Sequence, residues 1–276
     1  MRAETASADP VSTGWAALRA FFSEGTAALQ RATVAFEAAE SEVRASGDQS
    51  LQILWLLGLS AALRHSRRPE PMEEGLARSR ELVNLAARTL GEEATVPYRT
   101  HVETSYRDLA DVLPAAAEGY LKAGLDYSDR TMRLARRGAR DEWIAAAAAS
   151  RGDLVLRAGR PGDRRAIRRA IALHKEARRR WSVGWRDGRA QVGLGYAEAL
   201  LYDGRAGEAE GIARDALAVF TAGGDRYHEA AARLILARAL FALDQTEALD
   251  EHAAAVALFT KLGCRWELAQ AQAALV

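Results

Sequence analysis

Apolar residues along this chain recur every three or four positions, and no run rich in Val, Ile and Thr alternates cleanly. The pattern is that of amphipathic helices and not of strands. From Ser12 to Ser46 the series Trp15, Leu18, Phe22, Leu29, Val34, Phe36 and Val43 predicts one long helix, or two joined near Gly25. The next, Gln49 to His65, is apolar nearly all round and should be internal. Arg67 to Pro71 breaks the chain, because its two prolines remove donors and disfavour helix just before them. Further helices are predicted over 72–90, 97–113, 115–137, 142–158, 163–183, 187–203, 205–222, 226–243, 246–262 and 265–276. Gly91 and Gly138 act as stops and Asp141 as a cap. The total is about twelve helices with short turns.

The last third of the chain repeats itself. Offset by 39 residues, the stretch 208–236 matches 247–275 at 11 positions, where about 3 would arise by chance. Ala209, Ala216, Phe220, Gly224 and Ala232 fall on Ala248, Ala255, Phe259, Gly263 and Ala271, and Tyr227 on Trp266 keeps an aromatic. The same register carried backward lands on Ala170, Ala177 and Trp181. Small residues at such positions let paired helices approach closely, and the aromatic one turn later fills the seam to the next pair. No single pair can bury its own apolar face, so the pairs must stack.

The segment Gly195 to Ala209, followed by Ala216 to Phe220, resembles a tetratricopeptide repeat (TPR). It has a small residue in the first helix, Gly204 near the turn, Glu208-Ala209 opening the second helix, and Ala216-Leu217 seven residues on. The spacing here is 39 to 43 residues, against about 34 in that family. The proline that closes the second helix is replaced by Gly224 to Arg226 and Gly263 to Arg265. Long-period repeats of this kind resemble those of bacterial regulators and signalling ATPases. The resemblance implies an all-α, TPR-like α-solenoid: a right-handed superhelix of antiparallel helix pairs. On this reading residues 1–11 are a disordered lead-in and 12–276 a single repeat domain, with degenerate pairs over 12–137 and clearer ones over 140–276.

Composition narrows the function classes. The formal charge is +1, so no global field draws the chain to nucleic acid or membrane. One cysteine, Cys264, excludes an internal disulfide and a cysteine-based zinc site. The longest apolar run, Leu51 to Leu63, is too short to span a bilayer, and the N-terminus lacks an apolar signal core. A cytoplasmic location follows as an expectation. Arginine outnumbers lysine 35 to 3, a bias that goes with a bacterial source.

Candidate chemistry is sparse. The five histidines are scattered, and His101 with Glu103, or His228 with Glu229, would begin a metal site only with ligands from elsewhere. No nucleophile elbow, P-loop or dinucleotide fingerprint is present. No catalytic residue, cofactor or metal is therefore assigned. His174 falls on the apolar stripe of its helix and reads as a hydrogen-bonded core histidine. Cys264 lies beside Arg265, which would lower its pKa, although a chance free thiol is the simpler reading.

Two sets of residues remain as candidate binding sites. In TPR-like stacks the first helix of each pair lines a concave groove, which selects Arg151, Glu198, Tyr202, Arg233, Arg238 and Phe241, with Tyr98, Tyr106, Tyr120 and Tyr127 as a possible extension. Arginine beside aromatics suits an extended peptide or a carboxylate. The second set is the strongest charge feature: residues 157–189 hold eleven arginines and Lys175 against Asp163, Glu176 and Asp187, a local balance of +9. Within it Arg164, Arg165, Arg168, Arg169, Arg178 and Arg179 form a patch for an anionic partner, or else a solvated face paired with neighbouring acids.

The expected function is a non-enzymatic scaffold or regulatory adaptor binding a protein or peptide, with an acidic protein favoured over nucleic acid. The alternatives are a sensor for a small anionic ligand or nucleic acid, and an enzyme housed in an α-solenoid. Leu268, Leu275 and Val276 on the last helix would leave an open apolar end, which predicts self-association.

Overall fold

The computed structural model describes residues 9–159, 162–181 and 186–274. Among them lie thirteen α-helices, two single 3₁₀ turns and no strand. The helices are α1 (Pro10–Glu24), α2 (Thr26–Ala45), α3 (Gln49–His65), α4 (Pro69–Leu90), α5 (Val96–Val112), α6 (Ala117–Gly138) and α7 (Asp141–Ala158). They continue as α8 (Arg164–Arg180), α9 (Arg186–Tyr202), α10 (Ala206–Gly223), α11 (Arg226–Phe241), α12 (Glu247–Leu262) and α13 (Arg265–Ala273).

The predicted boundaries hold with two adjustments, and Asp141 is the first residue of α7 and not its cap, a position taken by Arg140 with no side-chain capping bond. Gly25, at φ 84°, splits the first apolar series into α1 and α2. Pro69 and Pro71 lie in the first turn of α4, where a missing N–H costs nothing, so the break shrinks to the turn at Arg67 and Arg68. Helix starts are capped by Asp9, Asp48, Asp163 and Asp225, whose carboxylates accept from backbone N–H groups of the first turn. The two copies of the sequence repeat end alike. Gly224 and Gly263 are left-handed, and Asp225 N and Cys264 N donate to Phe220 O and Phe259 O at 3.0 Å.

Successive helices pair as antiparallel hairpins: α1 with α2, α3 with α4, α5 with α6, α7 with α8, α9 with α10 and α11 with α12. Each even-numbered helix also packs on the next odd-numbered one, so the hairpins stack. The odd-numbered helices α1, α3, α5, α7, α9 and α11 touch in sequence and form the inner layer. The seams are built from the small and aromatic positions read in the sequence. Ala209, Ala216, Ala248 and Ala255 are at most 2% exposed, as are Phe220 and Phe259.

The array does not remain open. Helix α1 packs against α11, the last of the inner layer, as well as against α3. Phe21 and Phe22 meet Tyr227 and His228, with ring centroids 5.3 Å (Phe21–Tyr227) and 5.4 Å (Phe22–His228) apart. Phe259, Leu262, Cys264 and Ala271 share one core with residues of α1, α2 and α3. Polar contacts pin the same seam. Arg67 Nε donates to Glu267 at 2.9 Å, the Tyr227 hydroxyl donates to the same carboxylate at 2.9 Å, and the Arg67 guanidinium lies 4.8 Å from the Trp266 ring.

This closure corrects two expectations. The concave face is the wall of a ring, not an open groove, because six hairpins bring the first back against the last. The apolar face of α13 is also covered within the chain: Leu268 packs on the shared core, and Ala271 is fully buried. Leu275 and Val276 lie outside the described residues. Cys264 is 4% exposed, and burial pushes its thiol up to about 12, opposite to the direction expected from Arg265.

Candidate functional site

The ring encloses a cavity of about 510 Å³, walled by the inner helices with contributions from α8 and α13. Its polar character comes from side chains spaced three or four apart on single helices. His101, Thr104, Asp108 and Asp111 form one stripe of α5, while Ser150, Asp153 and Arg157 follow on α7. Phe22, Tyr227, His228 and Trp266 supply an aromatic sector at the seam.

Across this wall run two networks of ion pairs. Arg107 holds Asp153 at 2.7 Å and Asp108 at 2.7 Å. Asp108 also faces Arg67 at 3.3 Å and Arg64 at 3.5 Å. Arg157 lies 3.0 Å from Glu198 and 3.3 Å from Asp111. Burial alone would push Asp108 up, but the three guanidiniums overcome it and hold the carboxyl well below the usual range. Burial wins at Asp111, which is raised despite Arg157 and Arg107. The wall histidines are driven the other way. Burial, reinforced by Arg64, lowers His101 to about 3, and burial with Arg64 and Arg67 takes His65 well below 6.5. At neutral pH four guanidiniums (Arg64, Arg67, Arg107, Arg157) face four carboxylates (Asp108, Asp111, Asp153, Glu198), and these histidines are uncharged.

The groove candidates divide. Glu198 lines the cavity, and Arg238 stands 3.7 Å from its carboxylate. Arg238 also lies 5.6 Å from the Tyr202 ring; Tyr202 and Phe241 are 50% and 58% exposed, at the C-terminal ends of α9 and α11. These four gather at one rim of the ring. Arg151 and Arg233 do not. Arg151 is buried against α6, donating to Ser128 at 2.7 Å and pairing with Asp129 at 2.6 Å. Arg233 is clasped by Glu229 and Glu251. The repeat offset placed both on the inner layer, yet their side chains turn into the seams to satisfy acids there.

The tyrosines also serve the hairpin cores. Tyr106 and Tyr127 pack together between α4, α5 and α6, Arg99 lies 4.0 Å over the Tyr127 ring, and the Tyr120 hydroxyl donates to Glu73 at 2.7 Å. His101 faces the cavity, and Glu103 is fully buried two residues on. His228 Nδ1 lies 2.7 Å from Asp225, while Glu229 is taken by Arg226 and Arg233. Among the described residues no group of three or more His, Cys, Asp or Glu side chains is arranged to hold a metal ion. His174 is buried as expected, at 1% exposed, and reaches the cavity wall, but it is not hydrogen-bonded as expected: Nε2 lies 3.3 Å from Asp153 without a hydrogen bond, and Nδ1 has no partner among the described residues.

Sequence reasoning missed Arg64, Arg67, Arg107, Asp108 and Arg157 as wall residues. For Arg107, Asp108 and Arg157 the signal was a polar stripe on α5 and α7, which in a sequence looks the same as a solvated helix face; Arg64 and Arg67, at the end of α3 and in the turn after it, belonged to no stripe.

The second candidate is the outer surface of α8. Arg164, Arg165, Arg168, Arg169, Lys175 and Arg179 are all exposed, and none makes an ion pair among the described residues. Arg178 is half-buried, its guanidinium 5.7 Å from the Tyr196 ring, and Arg180 alone is neutralised, by Asp141 and Glu176. On other outer helices several arginines are compensated, although Arg133 and Arg136 on α6 are also exposed without an ion pair among the described residues. Arg44 on α2 is held by Glu40 and Glu81, Arg78 on α4 by Glu40 and Glu74, and Arg214 on α10 by Glu210 and Glu247.

No protein-family model matches the sequence, and no curated protein matches it. Solved structures do resemble it. A singly substituted form of nearly identical TPR-like repeats, from a Podosopora anserina protein described as kinesin light chain, is 16% identical, with a TM-score of 0.50 over 74% of this chain and 94% of that one. The same repeats without that substitution are 17% identical, with a TM-score of 0.47 over 73% and 93%. At such identity the first likeness concerns the fold alone, and it agrees with the stacked hairpins described above. The chain has the fold of a TPR-like helical-repeat protein.

Proposed function

We infer that this chain is a non-enzymatic scaffold that docks an acidic protein segment on the outer face of α8. The observation that carries the reading is the density of Arg164, Arg165, Arg168, Arg169, Lys175 and Arg179 on one helix, all exposed and without an ion pair among the described residues, on a molecule whose formal charge is only +1. Six exposed cations on one helix repel one another, at a cost of a few tenths of a kcal/mol for each adjacent pair. A facing row of carboxylates removes that repulsion. Arginine adds bidentate pairing with each carboxylate. The overall charge of +1 favours a local protein contact over the extended phosphate tracking that a nucleic acid requires.

Binding of a fluorescein-labelled glutamate-rich peptide and of a labelled single strand of DNA, each titrated against salt, tests this. The peptide should bind, and replacing Arg164, Arg165, Arg168 and Arg169 together by Gln should abolish binding. The same change should move the stability of the chain by no more than about 0.5 kcal/mol per site, since these side chains are exposed and hold no ion pair. Equal peptide binding by the variant would overturn the reading. DNA binding that is tighter than peptide binding and falls steeply with salt would reassign the stripe to phosphate.

A further inference from the structure

Independently of the α8 face, the interior of the ring has the properties of a ligand site. At about 510 Å³ the cavity is of the size that holds a small molecule. The α1–α11 seam closes the ring of helices around it, and the cavity stays open to solvent at the rim, so a small molecule can enter.

The hydrogen-bond inventory of the wall leans toward donors: among the described residues three guanidinium N–H groups are without a partner, and so are the two ring nitrogens of His174, of which one donates and one accepts in the neutral ring. Arg64 Nε, Arg67 Nη1 and Arg157 Nε are buried and donate to no atom of the chain. For the last two a carboxylate stands 3.3 Å away but off the N–H direction, while Arg64 Nε has none. The carboxylates of the wall leave no comparable buried oxygen without a partner. A buried N–H of a charged group without an acceptor costs more than an ordinary lost bond. The wall therefore favours a guest that brings acceptors. Beside Arg64 and Arg67 the wall carries two aromatic side chains, Phe22 and Trp266. Phe22 is backed by His228, with centroids 5.4 Å apart and planes 18° from parallel, and His228 is covered on its other face by Phe220, while Trp266 lies under Arg67. With four guanidiniums already balanced by four carboxylates, a polyanion would meet as much repulsion as attraction.

We propose that the central cavity binds a small organic monocarboxylate with a flat apolar body. Its carboxylate is received by Arg64 and Arg67, and its body lies against Phe22 and Trp266.

Benzoate serves as the probe and benzamide, of the same shape without the charge, as its control. Binding is followed by thermal stabilisation and by quenching of tryptophan fluorescence at concentrations to about 10 mM, which reaches affinities near the millimolar level. Benzoate should raise the melting temperature and quench the fluorescence, and benzamide should do neither. Arg64→Gln, and separately Arg64→Lys, which keeps a cation near Asp108 but removes Nε, should each weaken benzoate binding at least about tenfold, the value of one charge-assisted hydrogen bond. The fourfold Gln variant of α8 should bind benzoate as the parent does. No response to benzoate, an equal response to benzamide, unchanged affinity in a folded Arg64 variant, or loss of binding in the α8 variant would each overturn the proposal.

Discussion

Glu103 shows how far burial alone can move a side chain. It is fully buried on α5, and desolvation raises its carboxyl to about 7 against the Thr131 and Ser150 hydroxyls and the charges of Arg99 and Arg151. A folded pKa above the unfolded value of 4.5 means that stability is fully present below 4.5 and is lost as pH rises toward 7. His65, His101 and His174 act with the opposite sign. Burial lowers all three from 6.5, so they contribute stability above that value and lose it as the pH falls through 6.5 and beyond. Asp111, also raised by burial, acts with the sign of Glu103, but between 4.5 and 6.5 the three histidines outweigh them, and acid should destabilise the chain on balance. Glu103→Gln removes one of the two opposing groups. It should raise the melting temperature at about pH 8, where the parent buries a charge, and the gain should fade as the pH approaches 4.5. A lower melting temperature for the variant at about pH 8 would show that Glu103 is held as a stabilising anion.

The repeated pair α10–α11 and its copy α12–α13 make the packing rule visible in three dimensions. Phe220 and Phe259 occupy equivalent places, each 2% exposed, above the alanine seam formed by Ala216 and Ala255. Truncating either to Ala removes buried rings and leaves a cavity, a loss of about 3–5 kcal/mol. Their surroundings nevertheless differ. Phe220 joins a small cluster with Ala190, Ala216 and Ala232, whereas Phe259 belongs to the core that joins the two ends of the chain. Chemical denaturation of the two variants should therefore give similar losses, with a lowered m-value or a second transition only in Phe259→Ala, where an end hairpin is released. Two indistinguishable transitions would mean that ring closure adds nothing to cooperativity.

Closure itself rests on close backbone approach at the seam. Gly25 has φ 84°, and a Cβ there would lie 2.0 Å from the carbonyl oxygen of Leu262. Both the conformation and the contact exclude a side chain, so Gly25→Ala must push α1–α2 away from α12. A loss of about 2 kcal/mol or more is expected, together with a larger radius in small-angle scattering. An alanine variant with parental radius and stability would place the strength of the seam elsewhere, at Phe21, Tyr227 and the Arg67–Glu267 pair.

The sequence by itself determined the helices, their pairing and the seams, because all three follow from local rules. Apolar residues three or four apart make an amphipathic stripe, an aspartate or glycine marks an end, and an alanine repeated at 39 residues marks a close contact. It also pointed to the arginines of α8, since a charge run on one helix is visible without neighbours. Tertiary structure alone decided which polar stripes face water and which face the cavity. His101, Thr104, Asp108 and Asp111 would read identically on a solvated helix, and only the return of α1 to α11 encloses them. It also decided that Arg151 and Arg233 turn away from the wall while Arg64 and Arg67 turn toward it, because an arginine's direction is set by whichever acid lies within reach. That closure couples residues two hundred positions apart, as in the bond from Arg67 to Glu267, and no periodicity along the chain encodes such a contact.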